Sequence, residues 1–132
     1  MTRDEILAME AGPELDALVA AEVMGVSIVR ESGIPAMEHS HHDPHLIGVG
    51  GQRLPPPNVS GDTGPAWLVV EHLEGRGMWW TAEYYQHDDP PYRWEFCNPM
   101  GKGLFLPYEA VAPTLPLAIC RAALLTVMEV DA

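Results

Sequence analysis

The residues best able to do chemistry by type and spacing are His39, His41, His42, Asp43 and His45, the densest group of potential metal ligands in the chain. In an extended backbone His39 and His41 point to one face, and imidazoles with a carboxylate suit zinc, nickel or copper. A closed zinc site needs four ligands in fixed geometry, yet neither a HExxH motif nor a CxxC pair accompanies the cluster. A polar loop turned at Asp43-Pro44 accounts for the same residues. A metal-dependent hydrolase built on His39, His41, His42 and His45 is therefore an alternative reading, and no cofactor is expected.

Covalent catalysis has less behind it. Cys97 and Cys120 sit in apolar contexts, Phe96-Cys97 and Ile119-Cys120, where burial keeps a thiol protonated and inert. No serine stands in a GxSxG elbow, and Gly48-Val49-Gly50-Gly51 lacks the helix and lysine of a phosphate loop. Gly101-Lys102-Gly103 reads as an exposed hairpin turn that carries the chain's one lysine.

Aromatic residues offer a different chemistry, that of binding. Trp79, Trp80, Tyr84, Tyr85, Tyr92 and Trp94, with Arg93 among them, exceed what one face of a small sheet must bury, because alternation sends neighbours to opposite faces. Tyrosine, tryptophan and arginine are enriched at interfaces and on base-stacking platforms. Tyr85, Tyr92, Arg93, Trp94 and Lys102 are thus the candidate ligand-binding residues. Alternation would put Tyr92 and Trp94 on one face and Arg93 on the other, so one ligand could touch all three only near a strand end or across a subunit interface.

Several elements must position these residues. Thr2 and Glu5 have capping-box spacing, and Pro13 opens a helix to Met24 whose Leu15, Leu18, Val19 and Val23 share a face. Val26 to Arg30 reads as a strand. From about 33 to 64 the chain is crowded with proline, glycine and histidine and reads as a long loop, with a short strand at Leu46-Ile47-Gly48-Val49. Asp62 and Pro65 start a helix over Ala66 to Leu73. Met78 to Gln86 and Tyr92 to Cys97 read as paired antiparallel strands, with Leu104-Phe105-Leu106 as a third. Thr114 and Pro116 open a last helix, to about Met128, that is apolar nearly all round and must be buried against a sheet or another subunit.

The size and charge of the chain bound its partners. Its 132 residues suit a single domain. Nineteen acidic residues against seven basic ones leave a formal charge of -12, a field that disfavours nucleic-acid polymers and anionic membranes. No stretch approaches the apolar length of a membrane span, and the acidic start does not read as a secretory leader.

Three blocks then stand out together: Asp16-Ala17-Leu18-Val19-Ala20 running to Val23-Met24-Gly25, then Ala66 to Leu73 (AWLVVEHL), then Thr114 to Leu125 (TLPLAICRAALL). In order and spacing they resemble the phage ABA-sandwich domain family. Where family members carry a Tyr-Ser-Thr-Asp-like stretch before the middle helix, this chain has Val59-Ser60-Gly61-Asp62, keeping the serine and the aspartate. The resemblance implies an α/β/α layered sandwich acting in the host cytoplasm, and it brings no catalytic residues. The expected fold is α+β, a small antiparallel or mixed sheet of about four strands, with the first and last helices on one side and the Trp67 helix on the other or at an edge. The expected function is that of a non-enzymatic phage accessory protein binding a host molecule, as an anti-defence sponge for a nucleotide immune signal. The alternative is an acidic inhibitor of a host protein. A homo-oligomer is expected because the final helix and the aromatic strands present more apolar surface than one small sheet can cover.

Overall fold

The computed structural model describes residues 1–31, 33–37 and 55–128. The histidine cluster and the short strand read at Leu46-Ile47-Gly48-Val49 lie outside them. Helix α1 (Arg3–Leu7) starts on the expected capping box: the Glu5 amide donates to Thr2 Oγ1 at 3.1 Å and the Thr2 amide to Glu5 Oε1 at 3.3 Å. Helix α2 (Pro13–Glu22) has its proline in the first turn, where the missing N–H costs nothing. Next comes an antiparallel hairpin of β1 (Ile28–Glu31) and β2 (Ile34–Met37), with Gly33 at φ 80° in its turn. Strand β2 corrects the reading of continuous loop from about 33. Pro35 disguises it, yet a proline is tolerated on the outer strand of a two-stranded ribbon.

Helix α3 (Thr63–Gly75) is capped by Asp62, which accepts from the Gly64 amide at 3.1 Å. A three-stranded antiparallel meander follows: β3 (Trp79–Tyr84), β4 (Tyr92–Gly101) and β5 (Leu104–Ala112), with β4 central. The last helix is α4 (Leu115–Val127); Thr114 occupies its N-cap position, but its hydroxyl makes no cap bond. The fold is α+β, and its described strands form two antiparallel sheets, of two and three strands, where one sheet of about four was expected.

Strand alternation decides the layering. Trp94 and Phe96 of β4 and Ala110 and Ala112 of β5 point to one face and are buried with Leu117, Ala118, Ile119, Leu124 and Leu125 of α4 in one apolar cluster. Helices α1, α2 and α3 pack on α4 in turn. Trp67 of α3 reaches the same sheet face, edge-on to Trp80 and Trp94. The Trp67 helix, expected across the sheet from the last helix or at an edge, lies beside that helix and reaches the β3 side of the same sheet face. No described element packs on the other face.

Helix α4 is covered by its own chain: from Leu117 to Leu125 no residue exceeds 7 % exposure. That removes it as a ground for expecting oligomers and leaves the aromatic strands. Its one charge is held inside, where Arg121 donates to the Met9 carbonyl (Nη2 2.8 Å, Nε 3.1 Å) and to the Val111 carbonyl (Nη1 2.9 Å). The arginine thus ties the α1–α2 connection and the end of β5 to the central helix.

Candidate functional site

The phase of the meander sorts its side chains into two surfaces. Register pairs Trp80 with Phe96, Ala82 with Trp94 and Tyr84 with Tyr92 on the helix-facing side. Trp80 stacks on Trp94 with ring centroids 4.5 Å apart and planes 19° from parallel, and Phe96 meets Trp94 at 5.7 Å. Tyr84 and Tyr92 pack at 4.9 Å. Trp94 is 1 % exposed, and among the described residues its indole Nε1 has no hydrogen-bond partner. These aromatics close the core on the β3 side, where α4 does not reach, so Trp94 is bound up in packing.

The open face is built differently. Trp79, Thr81, Glu83 and, just beyond the strand, Tyr85 lie beside Arg93, Glu95 and Cys97, which lie beside Pro107, Glu109 and Val111. Trp79 and Phe105 meet edge to face at 5.2 Å while remaining 41 % and 53 % exposed. The Cys97 thiol is buried on this face and donates to Glu95 Oε1 at 3.0 Å. Burial first, then that carboxylate, pushes the thiol up to about 11, so it is protonated and a poor nucleophile near neutrality. Cys120, inside α4, is raised further by burial.

Arg93 sits at the centre of the open face. Its guanidinium carbon is 5.7 Å from the centroid of the Tyr85 ring, a cation–π distance. Its Nε lies 3.3 Å from Glu109 Oε1, without the alignment of a hydrogen bond. Glu95 stands directly opposite Glu109 in the register, and Glu83 opposite Arg93. One cation is thus set among three carboxylates and an aromatic ring.

Of the five residues expected to bind a ligand, Tyr85 and Arg93 are brought together. Tyr92 and Trp94 are on the reverse of the sheet, and Lys102 is in the distant β4–β5 turn at φ 56°. Tyr92 instead lines a cleft of about 400 Å³ with Gly61, Thr63, Pro113, Thr114 and Pro116, where the N-termini of α3 and α4 meet. Backbone amides there favour anions, but two of the lining residues are prolines without an N–H. Among the described residues no group of three histidines, cysteines or carboxylates is placed to hold a metal ion. Glu109 escaped the sequence reading because β5 was cut short at Leu106, and extending the period-two alternation through Pro107 would have found it. Glu95 and Phe105 lie within strands that were read, and the same alternation puts Glu95 on the face of Arg93.

Away from this face, among the helices, Asp16 and Ser60 tie α2 to the segment before α3. Asp16 Oδ1 accepts from the Ser60 amide at 2.8 Å and hydroxyl at 2.6 Å, and Ser60 Oγ accepts from the Gly12 amide at 2.9 Å. The serine and aspartate kept in Val59-Ser60-Gly61-Asp62 are thus a buried latch and a helix cap.

These features define a small α+β protein with a meander backed by helices on one face and, among the described residues, by no packed element on the other. The phage ABA sandwich domain model matches residues 17–124, most of the chain. The protein belongs to that family and is a phage protein. Neither the curated proteins nor the solved structures provide a match. No described helix is long and apolar enough to cross a membrane.

Proposed function

We propose that the protein acts in the host cytoplasm by binding a basic surface on a host protein, without turnover, through the open face of the meander. The observation that carries this reading is the juxtaposition of exposed Trp79, Tyr85 and Phe105 with Glu83, Glu95 and Glu109. Exposed aromatics supply the buried anchors of protein interfaces, and carboxylates around them select and steer a basic partner. The formal charge of -12 acts in the same direction over longer range.

The nucleotide sponge is the second reading, supported by Arg93 over the Tyr85 ring. A phosphate there would have to displace Glu109 from Arg93 and lie close to Glu95, and this ranks it second.

Capture from host lysate on the immobilised protein separates the two. A specific partner should bind at low salt, be released at about 0.5 M salt, and be lost with Trp79→Ala and Phe105→Ala while these variants stay folded. A partner retained equally by both variants would place the contact elsewhere. Calorimetry with cyclic nucleotides and cyclic ADP-ribose isomers tests the sponge: tight binding abolished by Arg93→Ala would put it first. Chelator-sensitive turnover of any substrate would favour the hydrolase centred on His39, His41, His42 and His45.

A further inference from the structure

The two edges of the meander are treated very differently, and hydrogen-bond phase shows how. The Tyr85 amide donates to the Pro91 carbonyl at 2.9 Å. In an antiparallel ladder bonded and non-bonded pairs alternate, so in the β3–β4 register Glu83↔Arg93, Thr81↔Glu95 and Trp79↔Cys97 are the bonded pairs. The N–H and C=O groups of Trp80, Ala82 and Tyr84 consequently point away from β4, to the open edge. On β5 the same phase sends Phe105, Pro107, Glu109 and Val111 outward, and Pro107, which has no N–H, fits only there.

The β5 edge is blocked. Arg121 donates to the Val111 carbonyl at 2.9 Å, Arg3 to the Glu109 carbonyl at 3.4 Å, and Pro107 offers no donor. Such caps and prolines are how proteins prevent edge pairing. The β3 edge has none of these devices. Among the described residues the outward backbone groups of Trp80, Ala82 and Tyr84 have no partner, β3 contains no proline, and Tyr84 is 58 % exposed.

We propose that the β3 edge pairs with the β3 edge of a second copy of this chain, antiparallel about a two-fold axis at Ala82, joining the two meanders into one continuous sheet. The strand is self-complementary in that register. Ala82 faces Ala82 of the second copy, and Trp80 faces Tyr84; each of these pairs exchanges both backbone bonds, because these are the residues whose groups point outward. On the open face Thr81 meets Glu83 and Trp79 meets Tyr85. Aromatic is set against aromatic, which is favourable, and no glutamate is set directly opposite another, which would be unfavourable. For a chain with a charge of -12 that last feature matters, since two copies otherwise repel. A two-fold contact needs such a self-matching patch. The pairing also places the two open faces side by side, with Tyr85 of one copy next to Trp79 of the other.

Sedimentation and light scattering of the full chain at tens of micromolar should give twice the chain mass. In hydrogen exchange the Trp80, Ala82 and Tyr84 amides should be protected, and should lose that protection on dilution. Ala82→Pro removes one outward N–H without touching the β3–β4 ladder, and Ala82→Glu sets two carboxylates against each other at the axis. Either should raise the dissociation constant about tenfold or more, with circular dichroism unchanged for at least one. A wild-type monomer at these concentrations would overturn the proposal, including one whose edge amides are protected from within the chain. So would a dimer that persists in a folded Ala82→Glu variant.

Discussion

At the scale of single residues, titration and burial make the first two predictions. The Cys97 thiol, pushed up to about 11 by burial and by Glu95, should resist alkylation in the native protein well past the ordinary thiol range near 8.5. In urea both cysteines should react readily. The folded thiol holds its proton where the unfolded one releases it, so its contribution to stability is complete below about pH 8.5 and declines as pH rises toward the folded value. Urea midpoints at pH 8 and pH 10 would show this, and Cys97→Ala should lessen the difference. Ser60 is fully buried, and its amide and hydroxyl both donate to Asp16. Ser60→Ala leaves the Asp16 carboxylate and the Gly12 amide each short of a partner and should cost about 1–3 kcal/mol, read as a lower thermal midpoint with the fold retained. Trp94 belongs to the same scale. Buried among Trp67, Trp80 and Phe96, it should show its loss as about 3–5 kcal/mol of stability in Trp94→Ala, not as a local defect in binding.

At the scale of elements, α4 shows best what the chain can be read to say in advance. An all-round apolar run must be buried, and TLPLAICRAALL is buried, with the sheet on one side and α1, α2 and α3 around the rest. Which surface would bury it was not legible, because a pattern of apolar residues states that a face is covered and never by what. Arg121 was missed for a related reason: inside an apolar helix a lone arginine looks like an exposed interruption, whereas here it satisfies two carbonyls some distance away in the chain. Arg121→Met should therefore destabilise by about 2–4 kcal/mol despite the gain in apolarity, since it orphans the carbonyls of Met9 and Val111; chemical denaturation would measure it. Local signals were read well where they were local. The Thr2–Glu5 box, the Asp62 cap and the aromatic strands appear as expected, with ends displaced by a few residues. The candidate site was half legible, since alternation already separated Arg93 from Tyr92 and Trp94. Of the carboxylates that surround Arg93, Glu95 lies on β4 itself and shares its face by the same alternation, whereas Glu83 and Glu109 come from β3 and β5, whose register against β4 is not written in β4's own residues.

For the whole molecule the question is what a strongly acidic body does with a bare aromatic face, and charge gives opposite answers for the two kinds of ligand. A basic protein partner gains from every carboxylate on the face, through steering at long range and pairing at contact. An anionic ligand is opposed by each of them and, among the described residues of this face, is drawn by Arg93. Glu109 is the residue where these diverge, because its carboxylate oxygen lies 3.3 Å from Arg93 Nε, near the centre of the face. Glu109→Gln keeps the shape of the side chain and removes the charge. If the partner is a basic protein, the variant should bind it more weakly by a factor of a few, as expected for an exposed ion pair worth about 0.2–1 kcal/mol, with a flatter dependence of the association rate on salt. If the ligand is a nucleotide, the same substitution frees Arg93 and relieves repulsion of the phosphate, so affinity should rise. Calorimetry of wild type and variant against each captured or candidate ligand, at low and moderate salt, reads the sign directly. A change of sign between ligands cannot come from loss of folding, which would weaken both.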